Sequence, residues 1–599
     1  MTPKTQPTRA LWLVPLLLAA CATPQLDYSI PTLPEGPSGY VDKPGWSASR
    51  FAVAAANPLA TDAGFQVLKA GGTAVDAAVA VQMVLALVEP QSSGLGGGAF
   101  LLHWDGAGLQ AWDGRETAPA AADERLFLQA DGKPMAFAQA VAGGRSVGVP
   151  GAIRMLEAAH RAQGRLPWAQ LIQPAIALAE QGFAVSPRLH TQLQGDTGLK
   201  RDAQAARYFH GPDGQPWPVG HRLRNPALAE VLRRIAAQGS AALHTGPVAA
   251  DIVRRVQGHA SNPGRLTEAD LAGYAAKPRE PICTLWKLSY RVCGMPPPSS
   301  GHIAVMQILG ILQHAAPVAR PLEGGVPGAD FLHAYTEASR LAFADRGLYV
   351  ADPDFVAPPP GGWTALLDDG YLAGRAASIG AASMRQAQPG VPGGAKSAYA
   401  PQPDQPEHGT SHVSIVDGDG HALAMTTTIE AVWGSRIMSD GGTGLVGGFL
   451  LNNELTDFSL APADAQGRPI ANRVQPGKRP RSSMSPTLVF DARDGRLLMS
   501  LGSPGGPAII HFVAKTLLGT LDWGLNAQQA ISLPNFGSFN GPTVLEEKRF
   551  PPTTIEALKA RGHLVVESDL TSGLQAIQRT PTGWFGGADP RREGVVMGR

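Results

Sequence analysis

The sequence predicts a layered α/β or α+β fold on three observations: helical periodicity through its middle, strand-like runs with turn signals after residue 409, and no internal repeat. At 599 residues with 44% hydrophobic content, the chain is too long for one simple core, because single cores stop growing beyond roughly 250–300 residues. Its 71 glycines and 52 prolines stay below the ~25–30% at which low-complexity disorder becomes the default reading. They imply many turns. Lys+Arg 50 against Asp+Glu 49 leaves a formal charge of +1, so no long-range field selects a nucleic acid, an anionic membrane or an acidic partner. Function has to sit in a local site.

The N-terminus carries Lys4 and Arg9, an apolar run from Leu11 to Ala20, and then Cys21. The run is far shorter than the ~20 residues of a membrane span, so residues 1–20 read as a signal peptide. Leu18-Ala19-Ala20-Cys21 resembles a bacterial lipobox, in which the cysteine becomes the lipid-modified first residue. The expectation is an exported, periplasmic lipoprotein that meets the membrane only through its lipid. An ordinary cleaved signal, leaving the protein free in the periplasm, is the alternative. Residues 21–49 are polar and rich in proline and glycine, and read as a tether to a domain that starts near Phe51.

Asn57 to Val88 reads as two helices. Thr61-Asp62 offers an N-cap, Gly71-Gly72 stops the first helix, and Thr73 starts a second, almost wholly apolar one through Leu87. Helical periodicity follows at Ala152 to Ala162, Trp168 to Gly182, Leu228 to Ala237 and Ala329 to Tyr349, until Pro358 to Gly362 breaks it. Within that half, Pro281 to Cys293 alternates about Trp286 to Ser289, which places Cys283 and Cys293 across a hairpin. An oxidising compartment allows a disulfide there, and two buried free thiols are the other reading. Two cysteines without a histidine cluster make a poor zinc site.

Gly380 to Glu407 has no period and reads as an exposed, flexible segment. After it comes a strong hairpin signal, Thr410 to Val416, Asp417-Gly418-Asp419-Gly420, then His421 to Thr428. A three-residue loop at Gly418 to Gly420 would set Thr410 opposite Thr428. Further strands are expected at Gly448 to Asn452, Ser485 to Phe490 and Leu497 to Leu501.

Two motifs mislead. Gly94 to Ala99 matches a dinucleotide fingerprint, yet it follows a helix and precedes a strand-like run, the reverse of what phosphate binding at a helix N-terminus needs. Gly144-Arg145-Ser146-Val147-Gly148 matches a nucleophile elbow, but Pro150-Gly151 interrupts the helix that should follow. The better signal is Glu407-His408-Gly409-Thr410-Ser411-His412, where a flexible segment meets the first residue of a strand. Breaking the Gly409–Thr410 bond would give Thr410 a free α-amine of pKa about 7.7–8.0, a base for its own hydroxyl.

Over residues 50 to 599 the chain resembles the γ-glutamyltransferase family. The resemblance rests on Asn57-Pro58-Leu59-Ala60, Gly71 to Ala78, Gly94 to Gly98, Arg115 to Pro119, Ser146 to Gly151 and Met295 to Gly301. After the junction it continues through Leu451-Asn452-Asn453, Asp457-Phe458-Ser459, Lys478 to Pro486 and Gly502 to Gly506. It implies a four-layer αββα sandwich of the N-terminal-nucleophile hydrolases, made as a precursor that cuts itself between Gly409 and Thr410. The products would be a large subunit, 50–409 with the tether, and a small catalytic subunit, 410–599. Thr410 would be the nucleophile, Thr428 would orient it, and the backbone N–H groups of Gly505 and Gly506 would hold the oxyanion. Arg115, Ser482 and Ser483 match the binders of the substrate's α-carboxylate, and Glu430, Glu454 and Asp457 those of its α-ammonium. Many members have Asn at the position of Glu430 and some Gln at that of Glu454. The lid-like stretch Phe458 to Arg481 lacks the gating tyrosine of some members.

The resemblance implies γ-glutamyl transfer from glutathione or related compounds to water, an amino acid or a peptide, without a metal or organic cofactor. Three alternatives stay open: an acylase on another side-chain amide, such as a glutaryl type; a serine hydrolase at Ser146; and a non-catalytic exported binding protein that remains one chain.

Overall fold

The computed structural model describes residues 39–394, 397–403, 405 and 409–599. The signal peptide, Cys21, most of the tether, and Glu407 with His408 lie outside the described residues. Two seven-stranded sheets form the centre, and every pairing within them is antiparallel. The first runs Val595–Gly598, Ala52–Ala55, Ser411–Val416, Ala422–Thr428, Gly98–Trp104, Leu109–Gly114, Lys277–Arg279. The second runs Trp46–Ala48, Gly583–Ala588, Gln575–Thr580, Leu497–Gly502, Thr487–Asp491, Tyr290–Gly294, Ile282–Trp286. The layers are therefore of the α+β kind, with none of the parallel pairing of a doubly wound fold.

Alternation along the strands explains the stacking. Val53, Ala55, Val413, Ile415, Leu423 and Met425 pack with the helices Pro58–Lys69, Ala74–Val88 and Ala152–Gln163 on one side. Ala52, Ala54, Phe100 and Leu102 turn the other way and meet Leu488, Phe490, Met499 and Leu501 of the second sheet. Helices Gly301–His314, Ala329–Tyr349 and Ile509–Leu517 close the outer face of that second sheet. The result is the four-layer αββα order that the resemblance implied.

The helix Ala74–Val88 is buried along its whole length and is capped by Thr73, with Asp76 returning the bond to the Thr73 N–H. The first helix differs from the sequence reading. Its cap is Asn57, whose side chain accepts from the Leu59 N–H, and Pro58 fills the first helical position. Thr61 sits one turn inside and donates to the Asn57 carbonyl. The folded part also starts earlier than residue 50, because Trp46–Ala48 pairs with Trp584–Gly586 and Val41 N–H donates to Pro590 O.

Cys283 and Cys293 face each other across their hairpin and are joined by a disulfide. The described part of 380–407 is only about half exposed, with Ala387, Pro392, Ala400 and Gln402 buried, and it is tied down at several points. Met384 N–H donates to Glu337, Gly390 N–H to Asp345, and Gln402 N–H to Gly347 O. The hairpin register is the expected one, with Ser411 opposite Thr427 through to Val416 opposite Ala422.

Candidate active site at the Gly409–Thr410 junction

The site forms where the hairpin ends meet three glycine-rich turns. Asn452 staples them: its Oδ1 accepts from the N–H of Gly148 and of Glu454, both at 2.9 Å, while its Nδ2 donates to Gly96 O and Gly148 O. Next to it, the carbonyl of Ser92 accepts from both Thr410 N–H and Ile429 N–H. These nonlocal bonds bring the resembling segments into one place.

At the junction, the Thr410 hydroxyl donates to the Thr428 hydroxyl over 3.2 Å, and Glu430 N–H donates to the same Thr428 oxygen over 2.8 Å. Both threonines are buried. The intact backbone here is strained. Gly409 lies at φ +87° and Thr410 at φ +104°, a region that a β-branched residue rarely enters. Gly409 also has no room for a side chain, since a Cβ would sit 2.1 Å from Glu430 O. At Thr410 such strain costs of the order of 1–3 kcal/mol, whereas glycine adopts the Gly409 conformation freely.

A small cavity of about 20 Å³ gathers Thr410, Thr428, Glu430, Glu454, Asp457, Arg115, Ser482, Ser483 and Gly506. That is room for about one water. Gly409 and Gly505 line a wider cavity of about 1150 Å³ beside it, which Asp457 also borders. Every residue singled out for cleavage, catalysis or substrate binding thus converges on one region. Gly505, at φ +130°, and Gly506 precede the helix Ile509–Leu517, and a Cβ on Gly505 would lie 2.6 Å from the Phe512 ring. Their amides sit at the positive end of that helix.

Arg115 is fully buried and forms ion pairs with Glu454 and Asp457. Its Nε donates to Pro480 O and its Nη2 to Arg481 O. Burial alone would weaken its hold on the proton, but the carboxylates of Glu454, Asp457 and Glu116 outweigh that and raise its pKa. The acids respond in the opposite sense. Burial pushes Glu116 up to about 8, although Arg115 pulls it down, and Glu454 is raised well above the usual range by burial and by Glu116. Arg346 donates to the hydroxyls of Ser300, at 2.8 Å, and of Ser483, at 2.6 Å.

Glu116, Asn453 and Arg346 carried no role in the sequence reading. Glu116 stood next to Arg115, and Asn453, which donates to Glu430, stood inside the Leu451-Asn452-Asn453 motif. Arg346 gave no signal, since it lies in a helix about 137 residues before Ser483. The misleading motifs resolve as structure. Ser146 is wholly buried and donates to Val141 O and Gly143 O. Gly94 to Gly97 turns from one helix into the strand Gly98–Trp104.

Residues 60–599 match the family model described as gamma-glutamyltranspeptidase. The chain is 36% identical over 553 residues to a glutathione hydrolase proenzyme of Escherichia coli (strain K12), covering 91% of each chain. It is 35% identical over 558 residues to a glutathione hydrolase proenzyme of Bacillus subtilis (strain 168), again with 91% of each covered. Among solved structures, cephalosporin acylase from Bacillus halodurans superposes with a TM-score of 0.81 at 27% identity, covering 95% of this chain and 99% of that one. With nearly its whole length matched by that family model, the chain belongs to the gamma-glutamyltranspeptidase family.

Proposed function

We propose that the chain is a γ-glutamyltransferase and glutathione hydrolase, made as a precursor that cuts itself between Gly409 and Thr410 into 21–409 and 410–599. The observation that carries this reading is one cavity holding the Thr410–Thr428 hydroxyl pair together with Arg115, Ser482, Ser483, Glu430, Glu454 and Asp457. Those charges and hydroxyls are the complement of an α-amino acid.

In the cleavage step the Thr410 hydroxyl gives up its proton and attacks the Gly409 carbonyl carbon. The peptide C–N bond breaks, an ester joins Gly409 to Thr410 Oγ1, and the nitrogen keeps the proton as a free α-amine. Water then hydrolyses the ester and leaves a Gly409 carboxylate. The strain at the junction favours this step, because breaking the bond releases it. In turnover, the new amine takes the hydroxyl proton while Oγ1 attacks the γ-glutamyl amide. The N–H groups of Gly505 and Gly506 support the oxyanion. Water, an amino acid or a peptide amine then takes the acyl group. A substrate ammonium beside Glu454 would draw that buried acid toward its charged form.

A second reading, an acylase on another side-chain amide, is favoured by the likeness to cephalosporin acylase. The residues that fit an α-amino acid argue for the first. Export and the lipid at Cys21 belong to the same proposal, and a Cys21→Ser variant found in the soluble fraction would support them. The deciding experiment is intact-mass spectrometry with γ-glutamyl-p-nitroanilide turnover on wild type and Thr410→Ala. Fragments meeting at Gly409 and Thr410, with both cleavage and turnover lost in the variant, are expected. An uncut, active wild-type chain overturns the mechanism, and turnover of glutaryl-p-nitroanilide in preference selects the acylase.

A further inference from the structure

The wide cavity beside Thr410 is lined by six arginines, Arg188, Arg346, Arg436, Arg481, Arg591 and Arg592, against two acids, Asp457 and Asp569. Four of the six are held by other groups. Arg436 pairs with Asp196, Arg591 with Glu546 and Asp589, Arg346 bonds Ser300 and Ser483, and Arg481 donates to Arg346 O. Asp457 is itself paired with Arg115.

Arg188 and Arg592 are different. Arg592 is 7% exposed, and its side chain makes one long bond, Nη1 to Thr410 O at 3.4 Å. The Arg188 side chain is 9% exposed and forms a long ion pair with Glu89, whose Oε1 lies 3.6 Å from its Nε. Among the described residues neither Nε has a hydrogen-bond partner. A buried guanidinium left in that state costs free energy until an anion or polar group completes it. Glu89 carries the ion pair with Arg188, and burial, reinforced by Glu89, pushes the nearby Glu593 carboxyl up to about 7. The two guanidiniums thus face one ion-paired carboxylate, Glu89, and one carboxyl that takes a proton readily, Glu593. Consistent with this, burial, reinforced by Arg188, lowers the Arg592 pKa to about 9.

The position of Arg592 says what it would bind. The γ-glutamyl group, on the reading above, is bound by the residues around the small cavity, Arg115 among them, which have to part from their one-water spacing to admit it. The leaving group must then extend into the wide one, and Arg592 reaches the backbone of the nucleophile residue itself. A ligand group there lies beside the residue whose Oγ1 attacks the scissile amide. We propose that Arg592, backed by Arg188, binds a carboxylate on the carbon next to the leaving nitrogen, so that the chain prefers γ-glutamyl α-amino acids to γ-glutamyl amides that lack this carboxylate. Glutathione, whose leaving cysteine carries a peptide carbonyl at that carbon, lacks the feature. In the step itself the γ-amide C–N bond breaks, the nitrogen takes the proton from the Thr410 amine, and the product leaves as a free amino acid. In the reverse sense, free amino acids would be better acceptors than their amides.

The inference rests on the γ-glutamyltransferase reading and is tested on the mature wild-type enzyme with two substrates that differ in one charge, γ-glutamyl-alanine and γ-glutamyl-alaninamide. Charge-assisted bonds of this kind predict a kcat/KM ratio of about tenfold to a hundredfold in favour of the carboxylate. The ratio is expected to collapse toward one in Arg592→Gln and to fall in Arg188→Gln. A wild-type ratio near one overturns the proposal. So does a high ratio that both variants keep. If either variant fails to fold or to cleave, the wild-type pair and its salt dependence still decide, since a ratio set by charge falls with added salt. Turnover of γ-glutamyl-p-nitroanilide in the same wild-type samples separates the two layers: its absence overturns the underlying reading, and its presence with a ratio near one overturns only this inference.

Discussion

Replacing Thr428 by valine removes one hydroxyl from a buried site and leaves the shape nearly unchanged. That hydroxyl accepts two bonds, from the Thr410 hydroxyl at 3.2 Å and from Glu430 N–H at 2.8 Å. Losing the first costs about 1 kcal/mol, and leaving the buried N–H unpaired costs about 1–3 kcal/mol. Glu430 sits at φ +75°, so its turn has little means of finding another partner for that N–H. Each ~1.4 kcal/mol lost from the reactive arrangement lowers a rate about tenfold. Thr428→Val is therefore expected to slow cleavage at Gly409–Thr410 by about tenfold to a thousandfold, and to lower kcat of any matured enzyme more than it changes KM. The assay is the time course of the 410–599 fragment by intact mass, followed by steady-state kinetics. Thr428→Ser should recover most of both. Wild-type cleavage and kcat in Thr428→Val would refute the idea that this bond prepares Thr410.

Other outcomes follow from the same geometry. Gly409→Ala must relieve a Cβ placed 2.1 Å from Glu430 O at φ +87°, so uncut precursor should accumulate on denaturing gels. Arg115→Lys keeps a charge but not the fork that reaches Glu454, Asp457, Pro480 O and Arg481 O, and is expected to raise KM for γ-glutamyl-p-nitroanilide about tenfold or more. Glu116 binds its proton more tightly folded, at about 8, than unfolded, near 4.5. Its contribution is thus full below the unfolded value and is lost as pH rises through the folded one. Denaturation midpoints between about pH 5 and pH 8 should therefore decline less steeply with pH in Glu116→Gln than in wild type. Reducing the Cys283–Cys293 disulfide, which closes a ten-residue separation, should lower stability by about 2–3 kcal/mol, read as a fall in Tm with and without reductant.

What the sequence determined by itself was local. Asp-Gly punctuation between β-formers set the hairpin register, so that Thr410 and Thr428 could be paired from their numbers alone. Thr73 announced the start of a helix, and its almost wholly apolar run announced complete burial, whereas the return bond from Asp76 appeared only in the structure. Alternation about Trp286 to Ser289 set Cys283 opposite Cys293. Where local signals competed, the reading slipped: Thr61-Asp62 looked like a cap, yet Asn57 followed by Pro58 took that place because proline's fixed φ suits the first helical position.

Tertiary structure alone decided the rest, because it depends on bonds between residues hundreds of positions apart. Whether the mixed elements would make parallel or antiparallel sheets was not written in their periods, and strands from both ends of the chain pair at one edge of the first sheet. The cluster of Glu116, Glu454 and Asp457 around Arg115 spans residues 115 to 457, and the raised pKa values of Glu116 and Glu454 arise from burial and from the charges that folding brings beside them. Arg592 reads in sequence as one more C-terminal charge, and only folding sets its guanidinium beside the Thr410 carbonyl. Short-range patterns encode elements because sterics and capping act over a few residues, whereas a site is encoded by which surfaces those elements bury against one another.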